Sequence, residues 1–167
     1  MTEPANKKPA ATMLILFWLV LFALLIWGFN DYLQGQTEPT IRDGQNYREV
    51  ALTRSQGSHY IARGSINGQE VTFIVDTGAT LVALSRSLAE QLQLDVTGRG
   101  QARTAGGIIP VSYSRLNSVR LGNIEVRNVA ASISDDNHGI DEVLLGMSFL
   151  KDLELIQKDG QLLIRQY

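Results

Sequence analysis

Between Ala10 and Phe29 the chain carries no charged residue, and Thr12 is its only clearly polar side chain. About 20 apolar residues make a helix long enough to cross a bilayer core of roughly 30 Å. A helix that is apolar on every face cannot lie on the surface of a small globular domain, where one face must meet water. This block therefore separates from the rest of the chain, which holds the residues available for one folded core. A cleaved signal peptide is the competing reading, but its apolar region usually runs to about 7–15 residues before small residues at the cut. Here the run is longer and closes on Trp27, Gly28 and Phe29 with no A-x-A pattern. The expectation is a cytoplasmic tail over 1–9 and an uncleaved transmembrane helix over 10–29. Lys7 and Lys8 precede it, and Asp31 and Glu38 come before the next basic residue, Arg42. That asymmetry favours a cytoplasmic N-terminus and a domain on the far side of a plasma membrane. In a Gram-negative cell this is a single-pass inner-membrane protein facing the periplasm.

Residues 30–57 are expected to form a polar linker, with Gln34, Gly35, Gln36, Pro39, Gly44 and Gln45 and little periodicity, and with order beginning near Tyr47 to Thr53. The folded domain then covers 58–167. Of 15 basic and 17 acidic residues in the whole chain, setting aside Lys7, Lys8 and Glu3 leaves 13 and 16, a mildly acidic balance. No basic stretch is dense enough for nucleic acid. The chain has no cysteine, which removes thiol nucleophiles, disulfides and thiolate metal sites together.

The domain's pattern is β-like. Tyr60–Ile66 and Gln69–Val75 flank Asn67-Gly68, a pair suited to a hairpin turn with positive φ at both positions. Arg115–Leu121 and Ile124–Val129 flank Gly122-Asn123; Leu153–Gln157 and Gln161–Arg165 flank Lys158-Asp159-Gly160. Two short helices are expected, one opening at a capping box Ser87-Leu88-Ala89-Glu90, the other over Met147–Asp152. Short strands with Gly-rich turns and few helices imply an all-β domain.

The stretch with chemistry in it is Phe73-Ile74-Val75-Asp76-Thr77-Gly78-Ala79-Thr80, followed at once by Leu81-Val82-Ala83-Leu84. Asp-Thr-Gly is ordinary turn chemistry. Placed between two apolar runs, however, its carboxylate is drawn towards the interior, where a carboxylate is costly unless its surroundings use it. Other constellations are poor. His59 and His138 are far apart in polar segments, and Gly64-Ser65-Ile66-Asn67-Gly68 lacks the spacing of a nucleophile elbow. The acidic segment 134–142 lacks the ligand spacing of an EF-hand and reads as a solvated loop. No metal or cofactor is called for.

Three elements resemble the retropepsin-like aspartic peptidases, in particular a membrane-tethered single-domain bacterial branch: Val75-Asp76-Thr77-Gly78-Ala79-Thr80 as the active-site loop, Val143-Leu144-Leu145-Gly146 as two apolars before a glycine and a short helix, and Thr104-Ala105-Gly106-Gly107-Ile108-Ile109 at the place of the flap. The resemblance covers about 58–165 and implies a closed, barrel-like acid-protease fold. It also implies peptide hydrolysis, with Asp76 catalytic and Thr77, Gly78 and Ala79 completing its loop. Leu144, Leu145 and Gly146 then support that loop, and Ala105, Gly106, Gly107 and Ile108 cover a bound peptide. The family's flap is matched loosely, and no tyrosine is evident within it. Hydrolysis without metal or covalent intermediate needs a base and an acid, and two carboxylates about 3 Å apart supply both by sharing one proton. The chain holds one Asp-Thr-Gly, so a homodimer must bring the second. The alternatives are a non-catalytic membrane-tethered module of the same fold that binds peptides or dimerises, and a structural membrane protein carrying a β domain.

Overall fold

A computed structural model describes residues 8–35, 38–55, 59–135 and 142–167, with side chains of the N-terminal helix described from Thr12 to Gly28. The chain divides into two compact units, Met1–Gln36 and Thr37–Tyr167.

The first unit is one helix, α1, Lys8–Gly35. Pro9 sits in its first turn, where a missing N–H costs nothing, and no proline follows until Pro39. From Met13 to Trp27 the apolar side chains are exposed, apart from half-buried Leu21. Residues 10–29 are thus helical as expected. Among the described residues, though, no helix is long and apolar enough to cross a membrane.

The second unit is built almost wholly of strands. Two of them, β1 (Thr40–Asp43) and β2 (Arg48–Thr53), arise inside the segment expected to be a linker. β2 is buried at four consecutive residues, Glu49 to Leu52, because it lies between β1 and the last strand of the chain, a partner more than a hundred residues away that local pattern does not reveal. The remaining strands are β3 (Tyr60–Ile66), β4 (Gln69–Val75), β5 (Val82–Ser85), β6 (Val96–Thr104), β7 (Gly107–Leu121), β8 (Ile124–Ser134), β9 (Val143–Leu145), β10 (Glu154–Lys158) and β11 (Gln161–Gln166), with helices α2 (Arg86–Gln91) and α3 (Met147–Leu150). One sheet runs β1-β2-β11-β10 and the other β3-β4-β9-β5-β8-β7-β6. A further pairing, Ser65↔Arg120 and Ile66↔Val119, joins β3 to β7. This mostly-β arrangement with few short helices agrees with the expected class; the expected closed barrel is not established by it.

Local chemistry explains the turns. Asn67 and Gly68 take φ of 51° and 84°, and Asp159 and Gly160 take 51° and 75°, as tight hairpins require. The Asn67 side chain also accepts from the Ser118 N–H at 3.1 Å, while its own N–H reaches the Ser118 carbonyl. The cap of α2 differs from expectation. Ser85, not Ser87, is the N-cap, accepting from the Leu88 N–H at 3.3 Å. The helix starts where β5 stops, two residues early, so the Ser87/Glu90 box falls inside it.

The core lies between the sheets and α3, with Phe73, Leu116, Ile124, Leu145, Phe149 and Ile164 at most 1% exposed. Each such side chain contributes about 1.5–3 kcal/mol by leaving water. One polar cluster accompanies it. Arg165 donates to Glu49 at 2.5 Å, lies 3.4 Å from Glu154, and stacks 4.8 Å from the centre of the Tyr47 ring. Glu49 is buried, and its hydrogen bond holds the Arg165 guanidinium firmly protonated, above its ordinary range. Removing the partner of a buried charge leaves that charge uncompensated, whereas replacing both with apolar residues does not. Arg165→Met, which strands the buried Glu49 carboxylate, should therefore lower the melting midpoint by several degrees, and adding Glu49→Leu should recover most of the loss. Thermal unfolding checks this, and an Arg165→Met midpoint equal to wild type would contradict it.

Candidate active site

β4 and β5 are consecutive in sequence but are not neighbours in the sheet. β9 lies between them, parallel to β4 through Phe73↔Val143, Ile74↔Leu144 and Val75↔Leu145, and antiparallel to β5 through Ala83↔Leu144. The loop from Asp76 to Leu81 must therefore cross over the end of β9. The Asp76 N–H continues the ladder to the Leu145 carbonyl at 3.2 Å. Its carboxylate turns back to accept from the Gly78 N–H at 2.8 Å, and its carbonyl accepts from the Ala79 N–H at 3.2 Å. Asp76 is half-buried, Thr77 and Gly78 are exposed, and Ala79 is half-buried. Among the described residues no Lys, Arg or His forms an ion pair with Asp76. A cation there would hold the carboxylate ionised and oppose any sharing of a proton.

The floor of the loop is the turn from β9 into α3. Leu145 and Gly146 are buried and Leu144 is half-buried. A Cβ on Gly146 would sit 2.7 Å from the Ala79 carbonyl oxygen and closer still to that of Leu81. Met147 and Ser148 then donate their N–H groups to the carbonyls of Ala79 and Thr80, at 2.8 and 3.0 Å. The structure thus brings together the loop and support residues singled out from sequence: Asp76, Thr77, Gly78 and Ala79 above, Leu144, Leu145 and Gly146 below.

The flap residues are placed on a separate feature. β6 and β7 form a hairpin whose last pair is Thr104↔Gly107, with Ala105 and Gly106 at the tip. Thr104 Oγ1 donates to the Gly107 carbonyl at 3.0 Å. Ala105, Gly106, Gly107 and Ile108 are all exposed, Ile108 at 60%, and no hydrogen bond among the described residues ties them to Asp76. A tyrosine does belong to this hairpin. Tyr113, on β7, packs across β6, where a Cβ on Gly100 would lie 2.7 Å from its ring, and its hydroxyl is 3.5 Å from the Gln101 carbonyl. The signal was Gly98-Arg99-Gly100: glycines alternating inside a strand mark a close approach. Ser148 is the other residue missed, a polar side chain in an apolar turn of helix.

Among the described residues no group of three or more His, Asp or Glu is placed to hold a metal ion. The acidic segment read as a solvated loop lies mostly outside the described residues, at 136–141.

This architecture matches solved retropepsin-like proteins. A retropepsin-like aspartic protease from Rickettsia conorii is 26% identical, with a TM-score of 0.59 over 75% of this chain and 97% of that one. The EIAV protease complexed with the inhibitor HBY-793 aligns at 0.50 over 60% of this chain and 93% of its own, at 16% identity, a likeness of fold alone. The model of the gag-polyprotein putative aspartyl protease family matches residues 62–152, and the chain belongs to that family. Relatives include an uncharacterized protein from the cobV 5′ region of Sinorhizobium sp, 32% identical over 120 residues, and an uncharacterized protein of Rickettsia prowazekii, 28% identical over 162. The match takes in 70% of this chain but about half, 51%, of the Sinorhizobium protein, and 90% of this chain with 69% of the Rickettsia prowazekii protein.

Proposed function

We propose that this chain is an aspartic endopeptidase that works as a homodimer, each copy contributing Asp76 to a shared pair. The observation that carries the reading is the Asp76 loop itself. A half-buried carboxylate, bonded to the Gly78 N–H and free of any cation partner among the described residues, stands at the surface end of a rigidly supported turn. Paired with its mate, one carboxylate takes a proton from water while the other protonates the peptide carbonyl. Thr77 and Gly78, exposed beside it, face the partner copy, and the hairpin tip at 105–108 covers an extended peptide bound through its main chain. Residues 10–29 of α1 hold the protein in the plasma membrane as a single span, with the domain on the periplasmic side.

The test is subunit mixing. Full-length wild type in detergent is combined with increasing Asp76→Asn protein, and peptide cleavage is followed after exchange. Mixed dimers hold one carboxylate, so an equal amount of variant should cut activity per wild-type chain to about a half, and a threefold excess to about a quarter. Activity that ignores the added variant would show that each chain works alone.

A further inference from the structure

Ser148 occupies an unusual place between two strands. β5 and β8 run parallel, with Val82 opposite Ala131. At the start of that ladder the Ser148 hydroxyl joins the two strands: its oxygen accepts from the Val82 N–H at 2.9 Å, and it donates to the Ala130 carbonyl at 2.7 Å. Its backbone N–H meanwhile donates to the Thr80 carbonyl at 3.0 Å. One serine therefore grips the descending end of the Asp76 loop at two points and anchors it to a third strand. Val82 is fully buried, so its N–H has no water to turn to.

We infer that Ser148 is a positioning residue for the active-site loop: its hydroxyl is a one-oxygen spacer at the start of the β5–β8 ladder, and that spacing sets where Asp76 stands. The inference rests on the peptidase reading above and adds a residue to it. Ser148 does not reach the reacting atoms; it acts through Val82 and Thr80. Removing the hydroxyl leaves two outcomes for the orphaned groups. The Val82 N–H and Ala130 carbonyl stay apart and unpaired, which destabilises the loop's end, or they close on each other and draw the loop towards β8. Both displace Asp76 relative to its mate, and a displacement of about 1 Å at a reacting group lowers rate far more than it lowers substrate binding.

The experiment compares full-length wild type, Ser148→Ala and Ser148→Thr, with Asp76→Asn as the inactive reference. Amide hydrogen exchange over 76–84 and steady-state peptide cleavage are measured on the same samples. In Ser148→Ala, exchange over 76–84 should rise about tenfold while β3 amides keep their protection, and kcat should fall about ten- to a hundredfold with KM nearly unchanged. Ser148→Thr, which keeps the hydroxyl, should restore both. If Ser148→Ala does not fold, Ser148→Cys, similar in volume but a weak donor and acceptor, takes its place. Unchanged exchange over 76–84 overturns the inference, as does a loss confined to KM, or a threonine variant as impaired as the alanine one. If the wild type cleaves nothing in an Asp76-dependent way, the peptidase reading fails by itself, and the exchange data still decide whether Ser148 sets the loop.

Discussion

Asp76→Asn is expected to reduce peptide cleavage by about 10⁴-fold, the upper end of what general acid–base groups supply, because in the proposed homodimer the substitution changes both members of the pair. The loss should come without a loss of fold. The asparagine side-chain oxygen can accept from the Gly78 N–H as the carboxylate oxygen does at 2.8 Å, and no ion pair among the described residues is broken. The backbone bonds that fix the loop, Asp76 N–H to the Leu145 carbonyl and Ala79 N–H to the Asp76 carbonyl, do not involve the carboxyl group. Melting midpoint and sedimentation should therefore match wild type while activity disappears. Cleavage by the purified variant at the wild-type rate would place the chemistry at some other residue. A variant that melts far below wild type would instead give Asp76 a structural role.

What could be read from the sequence was local. Asn67-Gly68 and Asp159-Gly160 specify their hairpins through φ alone, and both strands beside Asn67-Gly68 fall where the alternation ends. The Asp76 loop and the Leu144-Leu145-Gly146 turn were legible for a related reason: each carries its constraint in consecutive residues. Their proximity came from family resemblance, because no local pattern shows that a three-residue strand inserts between β4 and β5. The same limit hid β2, whose burial depends on β11, and the Glu49–Arg165 pair, which spans 116 positions. Ser85 replaced Ser87 as cap because the end of β5 decides where α2 can begin. Ser148 and Tyr113 were missed because a serine in a helix and a tyrosine in a strand are unremarkable until their partners, Val82, Ala130 and the Gly100 backbone, are known.

Gly146→Ala should be the most damaging single-methyl change in the domain. At this position the chain passes beneath the Asp76 loop, and an added Cβ meets the carbonyls of Ala79 and Leu81. Those atoms are backbone, so no side chain can swing aside. They are also already engaged, the Ala79 carbonyl accepting from the Met147 N–H. The loop must lift or the turn into α3 must sink, and either movement strains the bonds from Met147 and Ser148 together. Overpacking of this kind costs about 1–3 kcal/mol; with backbone on two sides the expected value is about 3 kcal/mol, a large part of a total of about 5–15. Whatever protein stays folded carries a displaced Asp76, so cleavage should fall about 10²-fold beyond the loss of folded molecules. Gly98→Ala is the matched control. Its Cβ would find only Tyr113 Cδ2, at 3.9 Å, and its φ lies outside the left-handed region. Denaturant unfolding and cleavage per folded chain, measured on both variants, separate the two effects. A Gly146→Ala protein as stable and active as the Gly98→Ala one would mean that the crossing beneath Asp76 is looser than its geometry requires.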